Sequence, residues 1–236
     1  MIRTKNLHIG YAKELLAVDD LSLDKGELYF LIGRNGSGKS TFLKTLIGEI
    51  PPLNGEVLLN GNHISHLTYK EIPKTVAFVT THFPLTDYLT AEEYVRLART
   101  PYTGHFGRIS SKDQDLIDQA FDILNIQDLK QRFTSELSDG EKQMVSIAKA
   151  IAQETAIIIL DEPTAFLDYT NKQRVVDLLK NISKTMEKCI VMSSHDIDMS
   201  IAAECPFLAV NSIEKKITQV LSPTSKEEII NLAFKE

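Results

Sequence analysis

An α/β domain on a largely parallel sheet, with a β-rich N-terminal edge and a helical insertion, is the fold class that three observations predict. A glycine-rich turn from Gly33 to Ser40 separates a strand-like apolar run, ELYFLI, from a helix-like one, KSTFLKTLIG. Two unbroken apolar runs of strand length, AIIIL at 156–160 and CIVMSS at 189–194, read as strands covered on both faces, as in a parallel sheet. Between about residues 88 and 152 the apolar spacing is helical.

Residues 1–32 are β-rich: TKNLHIGY, LLAVDDLSL and GELYFLIG carry short apolar or alternating runs broken by Gly26 and polar pairs. A helix over 38–49 follows, with Phe42, Leu43, Leu46 and Ile47 on its apolar face. GEVLLNGNHI reads as a strand pair turning at Asn60-Gly61. In the helical stretch, Thr90 with Glu93, Ser111 with Gln114, and Ser138 with Glu141 each have the spacing of a capping box. One helix there stripes Leu116, Ile117, Ala120, Phe121 and Leu124, and a second stripes Met144, Ile147, Ala148 and Ile151. The last third alternates strand and helix, with a helix near 171–184 and a short one in SKEEIINLAF. The layout predicts one domain over 1–236, its β-rich edge and core drawn from 1–85 and 153–236 and its helical part from about 86–152.

Composition narrows the function. With 236 residues, 43% hydrophobic and 25% charged, the chain has the make-up of an ordinary globular protein. A formal net charge of -6 argues against a nucleic-acid partner, whose footprint is basic. The two cysteines, Cys189 and Cys205, have no ligand-like spacing, so neither a disulfide framework nor a thiolate metal site is expected. The N-terminal MIRTKNLHIG lacks an apolar core of the signal-peptide kind, and no run reaches the roughly 18 apolar residues of a membrane helix. A membrane role therefore requires a partner.

The glycine-rich turn fits G-x-x-x-x-G-K-[ST]: Gly33, Arg34, Asn35, Gly36, Ser37, Gly38, Lys39, Ser40, with Thr41 following on the helix. Glycines let the backbone curl so that successive N–H groups point inward at anionic oxygens, and the positive end of the helix dipole adds to the pull. Lys39 neutralises β- and γ-phosphate charge, and the Ser40 hydroxyl serves Mg²⁺. IIILDEPT then places Asp161 and Glu162 just past a buried strand. A carboxylate there holds Mg²⁺ and its neighbour polarises an attacking water, which assigns Asp161 to the metal and Glu162 to the water.

Kinases, GTPases and helicases also use such loops. LSDGEKQ at 137–143, shortly before the acid pair, separates this chain from them. The sequence resembles the nucleotide-binding subunit of an ABC transporter over nearly its whole length. The matching order is Tyr11, the loop at 33–41, the signature at 137–141, the acid pair, FLD at 166–168 and His195. The resemblance implies a RecA-like P-loop NTPase core with an N-terminal antiparallel β subdomain and a helical signature subdomain. It implies ATP and Mg²⁺ as ligands, and two copies head to tail, with Ser138 and Gly140 of one capping the γ-phosphate held by Lys39 of the other. Ser138 opens a helix whose free N–H groups favour an anion, in agreement with that role. Tyr11 stacking on adenine, Asp168 lining the dimer seam and His195 contacting the γ-phosphate are implied by the resemblance alone.

Two positions depart from the family pattern. Asp139 stands where the signature usually has glycine, and either points to solvent or weakens nucleotide capture. Thr81 stands where a glutamine normally touches Mg²⁺ or the lytic water, and is too short to span the same gap; a bridging water or His82 would take up that role. ARTPYTGHFGRIS at 98–110 is similar to the helical subdomain of importer subunits for iron–siderophore, haem or cobalamin complexes. That likeness implies integral-membrane permease partners that dock near 81–88, a peripheral place on the cytoplasmic face of the cell membrane, and no direct contact with cargo. The rival readings are a non-transport ABC ATPase, an importer of another small solute, and a small-molecule P-loop kinase, against which LSDGE argues.

Overall fold

The computed structural model describes residues 1–84, 87–104, 107–221 and 226–234, so the parts of the 81–88 and 98–110 stretches at 85–86 and 105–106 lie outside the described residues. β1 (Ile2–Gly10) and β2 (Glu14–Val18) form a hairpin, β3 (Ser22–Leu23) pairs back onto β1, and β4 (Leu28–Ile32) leads into the glycine-rich loop. After α1 (Lys39–Leu46) comes the hairpin of β5 (Asn54–Leu59) and β6 (Asn62–His63). A short α2 (Ile72–Thr75) precedes β7 (Val76–Val79). The helical stretch contains α3 (Ala91–Arg96), α4 (Ser111–Leu124) and α5 (Asp139–Ala152). The chain then runs through β8 (Ile157–Leu160), α6 (Tyr169–Thr185), β9 (Cys189–Ser194), α7 (Ile197–Ala202), β10 (Phe207–Asn211), β11 (Lys216–Val220) and α8 (Lys226–Ala233).

The described strands join in one sheet, in the order β6-β5-β1-β2-β11-β10-β4-β9-β8-β7 with β3 on the flank of β1. Every pair from β10 to β7 is parallel, whereas β1, β2, β5 and β6 pair antiparallel. The unbroken apolar runs follow from this architecture. In β4, Leu28, Phe30 and Ile32 face a core shared with α3 to α6, while Tyr29 and Leu31 face a second core closed by Phe42, Leu43 and Leu46 of α1. Side chains alternate across a strand, so a strand covered on both faces needs an apolar residue at every position.

Backbone geometry settles the turns. Asn60 and Gly61 have φ of 51° and 83°, the left-handed pair that a two-residue hairpin requires. At Gly55 a Cβ would stand 2.0 Å from the Asn6 carbonyl oxygen, so the bulge in β1 admits only glycine opposite it.

Three expectations shift. The first helix ends at Leu46 rather than near residue 49, because Gly48 turns the chain at φ 76°. The capping boxes at Thr90 and Ser138 form, but the expected Ser111–Gln114 box is built one residue earlier, by Ser110 and Asp113. The reason is tertiary: Asp113 also accepts from Arg99 Nε at 2.8 Å, while Gln114 turns to Glu92. Three further strands, β7, β10 and β11, and the helix α7 complete the last layer.

The Asp113 carboxyl is held down at about 2, from a usual 3.8, first by the Ser110 hydroxyl and backbone N–H and then by Arg99. A folded-state value below the unfolded one stabilises the protein above the ordinary carboxylate range, and that gain disappears as pH falls toward the folded value. Asp113→Asn is therefore expected to cost up to about 2 kcal/mol at pH 7. In urea unfolding, the gap to wild type should narrow progressively as pH is lowered from 4 toward 2.

Candidate nucleotide site

Buried strand β4 ends where the loop begins, so the loop is anchored on a rigid element. Gly33 has no space for a side chain: a Cβ would lie 2.8 Å from Ser37 Oγ and 2.9 Å from Val210 Cβ. Gly38 caps α1 at φ 103° with no side-chain hydrogen bond, and no acidic residue occupies the first turn. The N–H groups of that turn are thus left to a ligand, with the helix dipole behind them. The hairpin β1–β2 closes one side, since a Cβ at Gly38 would meet Leu16 Cδ1 at 2.7 Å. Tyr11, at the tip of that hairpin, is 69% exposed, and Arg34, Asn35, Gly36 and Ser40 are exposed along the loop. Arg34 Nη2 donates to the Phe234 carbonyl just past α8 at 2.7 Å.

Lys39 is buried inside the loop, donating from Nζ to the carbonyls of Gly33 (2.9 Å) and Arg34 (3.1 Å). Its Nζ also stands 3.7 Å from Glu162 Oε1. Burial lowers the pKa of this amine, and Glu162 and Asp161 oppose the shift. Ser37 Oγ is buried without a hydrogen-bond partner, and Thr41 is buried beneath the loop. A cradle with free N–H groups, an enclosed amine and an orphaned hydroxyl suits a polyphosphate.

The acid pair arrives from β8, two strands away, because β9 lies between β8 and β4. Ser193 on β9 organises it. The Ser193 hydroxyl donates to Asp161 Oδ1 at 2.6 Å and accepts from the Glu162 N–H at 2.7 Å. Asp161 itself is buried and donates its N–H to the Val79 carbonyl at 2.8 Å. Glu162 has φ 48°, a left-handed conformation uncommon for this residue and of the kind that clusters at working sites. Its Oε2 stands 3.5 Å from His195 Nδ1. The fold thereby gathers Lys39, Asp161, Glu162 and His195. The Ser40 hydroxyl and the Asp161 carboxylate are hard oxygen donors of the kind Mg²⁺ takes, and two such groups suffice where phosphate supplies the rest. Sequence reasoning missed Ser193; its signal is the pair Ser193-Ser194 closing an apolar strand just before His195.

The signature residues lie apart. Ser138 caps α5, accepting from the Glu141 N–H at 3.3 Å while Glu141 Oε2 accepts from the Ser138 N–H at 2.7 Å. Arg132 pins the other oxygen of Glu141 at 2.6 Å. No hydrogen bond or ion pair among the described residues joins Ser138 or Gly140 to Lys39 or the acid pair. Ser138, Gly140, Glu141 and Met144 line a cleft of about 570 Å³ against the start of α6. Asp139, Lys142 and Gln143 turn the other way, into a pocket of about 200 Å³ shared with Thr81, His82, Phe83 and Phe166. Asp139 thus faces Thr81 and not the side of Ser138 and Gly140. Asp168 caps α6, accepting from the Asn171 N–H at 2.9 Å.

Ser193→Ala removes the shared hydroxyl and leaves two buried polar groups unpaired. ATP hydrolysis by this variant is expected to fall roughly ten- to a hundredfold in kcat/KM, the equivalent of about 1 to 3 kcal/mol, in steady-state assays.

Comparison with known proteins identifies the family. The family model described as ABC transporter matches residues 16–165. A petrobactin import ATP-binding protein of Bacillus anthracis is 32% identical over 232 residues, spanning 98% of this chain and 83% of that protein. An iron(3+)-hydroxamate import ATP-binding protein of Bacillus subtilis is 35% identical over 198 residues, spanning 84% and 74%. Among solved structures, a dimeric ATP-binding cassette in a post-hydrolysis state with ADP and Pi superposes with a TM-score of 0.81 at 26% identity, over 95% of this chain and 100% of that one. The matched family model and relatives above 30% identity show that the chain belongs to the ABC transporter family and is an ATP-binding subunit that hydrolyses ATP.

Proposed function

We propose that this protein powers an importer of iron–siderophore-type chelates, working as a homodimer with two shared ATP sites beneath integral-membrane permease subunits. The observation that carries the dimeric cycle is a division within one chain. Lys39, Glu162 and His195 converge, whereas exposed Ser138 and half-buried Gly140 line a separate cleft and have no phosphate of their own to meet. A second copy, head to tail, supplies one. The relatives' names, petrobactin and iron(3+)-hydroxamate import, support the cargo class. The subunit sits peripherally on the cytoplasmic face, touches neither cargo nor nucleic acid, and acts as one domain over 1–236 with its helical part at about 86–152.

In this cycle Gly33 to Thr41 wrap the phosphates, and Lys39 exchanges its loop carbonyls for β- and γ-phosphate oxygens. Ser40 and Asp161 hold Mg²⁺, which when bound neutralises charge on the transferring phosphoryl group. Glu162 orients water for in-line attack, with His195 beside it on the γ-phosphate, while Tyr11 stacks on the base and Asp168 lines the seam. Ser138 and Gly140 of the second copy close the site. Hydrolysis removes the anion that bridges the two copies, so the pair opens; ATP is a ligand that favours the closed state. Thr81 contributes near the metal through a bridging water.

Glu162→Gln tests the scheme. This variant is expected to lose at least about a hundredfold in turnover while still binding ATP. With Mg-ATP it should sediment as a dimer, and a variant that remains monomeric at saturating nucleotide overturns the shared-site reading. In cells, loss of the protein should abolish uptake of radiolabelled ferric hydroxamate or catecholate chelates, and unchanged uptake of both rejects the cargo class.

A further inference from the structure

The first turn of α5 faces two cavities, and the smaller contains an unmade hydrogen bond. Gln143 is only 7% exposed, and its Nε2 is buried with no partner. Buried amide donors are rarely left unpaired, so each one calls for an explanation. This one lines the pocket of about 200 Å³ whose opposite walls are Thr81 and His82, leaving β7, and Phe166, on the loop after the acid pair.

Both walls are tied to the acid pair. The Asp161 N–H bonds to the carbonyl of Val79, two residues before Thr81. The Thr80 hydroxyl donates to the His82 carbonyl at 2.8 Å, which tightens the turn between them. The His82 ring lies 5.9 Å from that of Phe166, and Phe83 packs on Tyr94 of α3 at 4.6 Å. The pocket is a polar joint between three elements: the signature helix, the exit of β7 and the acid-pair loop.

We propose that Gln143 is a positioning residue for ATP hydrolysis. When the site closes, its carboxamide makes the missing hydrogen bond across the pocket to the Thr81–His82 segment. Movement of the signature helix is thereby transmitted to Asp161 and Glu162. Thr81 is short enough to leave the cavity open, and Asp139 and Lys142 keep its rim polar. This proposal rests on the two-copy cycle described above.

Gln143→Leu and Gln143→Met keep the volume and remove the amide. In the purified full-length protein, kcat for ATP is expected to fall about tenfold or more, with KM and affinity for a fluorescent ATP analogue within about twofold of wild type. Thermal stability should not drop, since an apolar group replaces an unpaired amide. A wild-type kcat in both variants, or a loss of kcat matched by an equal loss of thermal stability or of nucleotide affinity, overturns the proposal. Absence of ATP hydrolysis by the wild-type protein would instead reject the two-copy cycle, independently of the comparison among variants.

Discussion

The position of β9 between β4 and β8 is the constraint on which the site depends. Two strand spacings, about 10 Å, separate the end of the cradle strand from the end of the acid strand, a gap suited to a phosphate group and a water. The intervening strand also carries the hydroxyl of Ser193, which touches both acid residues at once. Glu162 is thus held in a left-handed conformation by a bond to its own N–H, and its carboxylate is directed between Lys39 and His195. Moving β9 elsewhere in the sheet would remove the spacing, the hydroxyl and the histidine together.

The N-terminal ends of α1 and α5 are prepared in opposite ways. At α1 the cap is a left-handed glycine with no side-chain bond, so the backbone donors await an anion. At α5 the cap is fully made by Ser138 and Glu141, and Arg132 balances the added carboxylate. The first end is open to an anion, and the second is preformed by its own side chains. Helix periodicity assigns the rest of that turn: residues 140, 141 and 144 share one cleft, and 139, 142 and 143 share the other. Asp139, an added negative charge, is therefore turned off the side of Ser138 and Gly140.

Much of this was legible from short-range chemistry. The glycine spacing of the loop, the acid pair after an apolar strand and the Ser138–Glu141 box all concern residues within a few positions of one another, where backbone geometry leaves few alternatives. The one-residue slip from Ser111 to Ser110 shows the limit. Both serines satisfy local spacing, and the choice was made by Arg99, fourteen residues from Asp113 in the chain. Strands β7, β10 and β11 escaped for a similar reason, since runs of four or five residues become strands by pairing with distant neighbours.

The sequence alone determines a phosphate-binding α/β domain, because loop curvature, helix dipole and carboxylate placement are local properties; the ABC family enters through the resemblance carried by LSDGEKQ and the order of the motifs. Only the tertiary structure decided that Ser193 joins the acid pair, that Asp139 faces Thr81 and that Gln143 ends unpaired in the joint between them. Those outcomes depend on strand order and on the rotation of α5 about its axis. Both are set by the packing of the two cores on either side of the sheet, which no short segment of chain specifies.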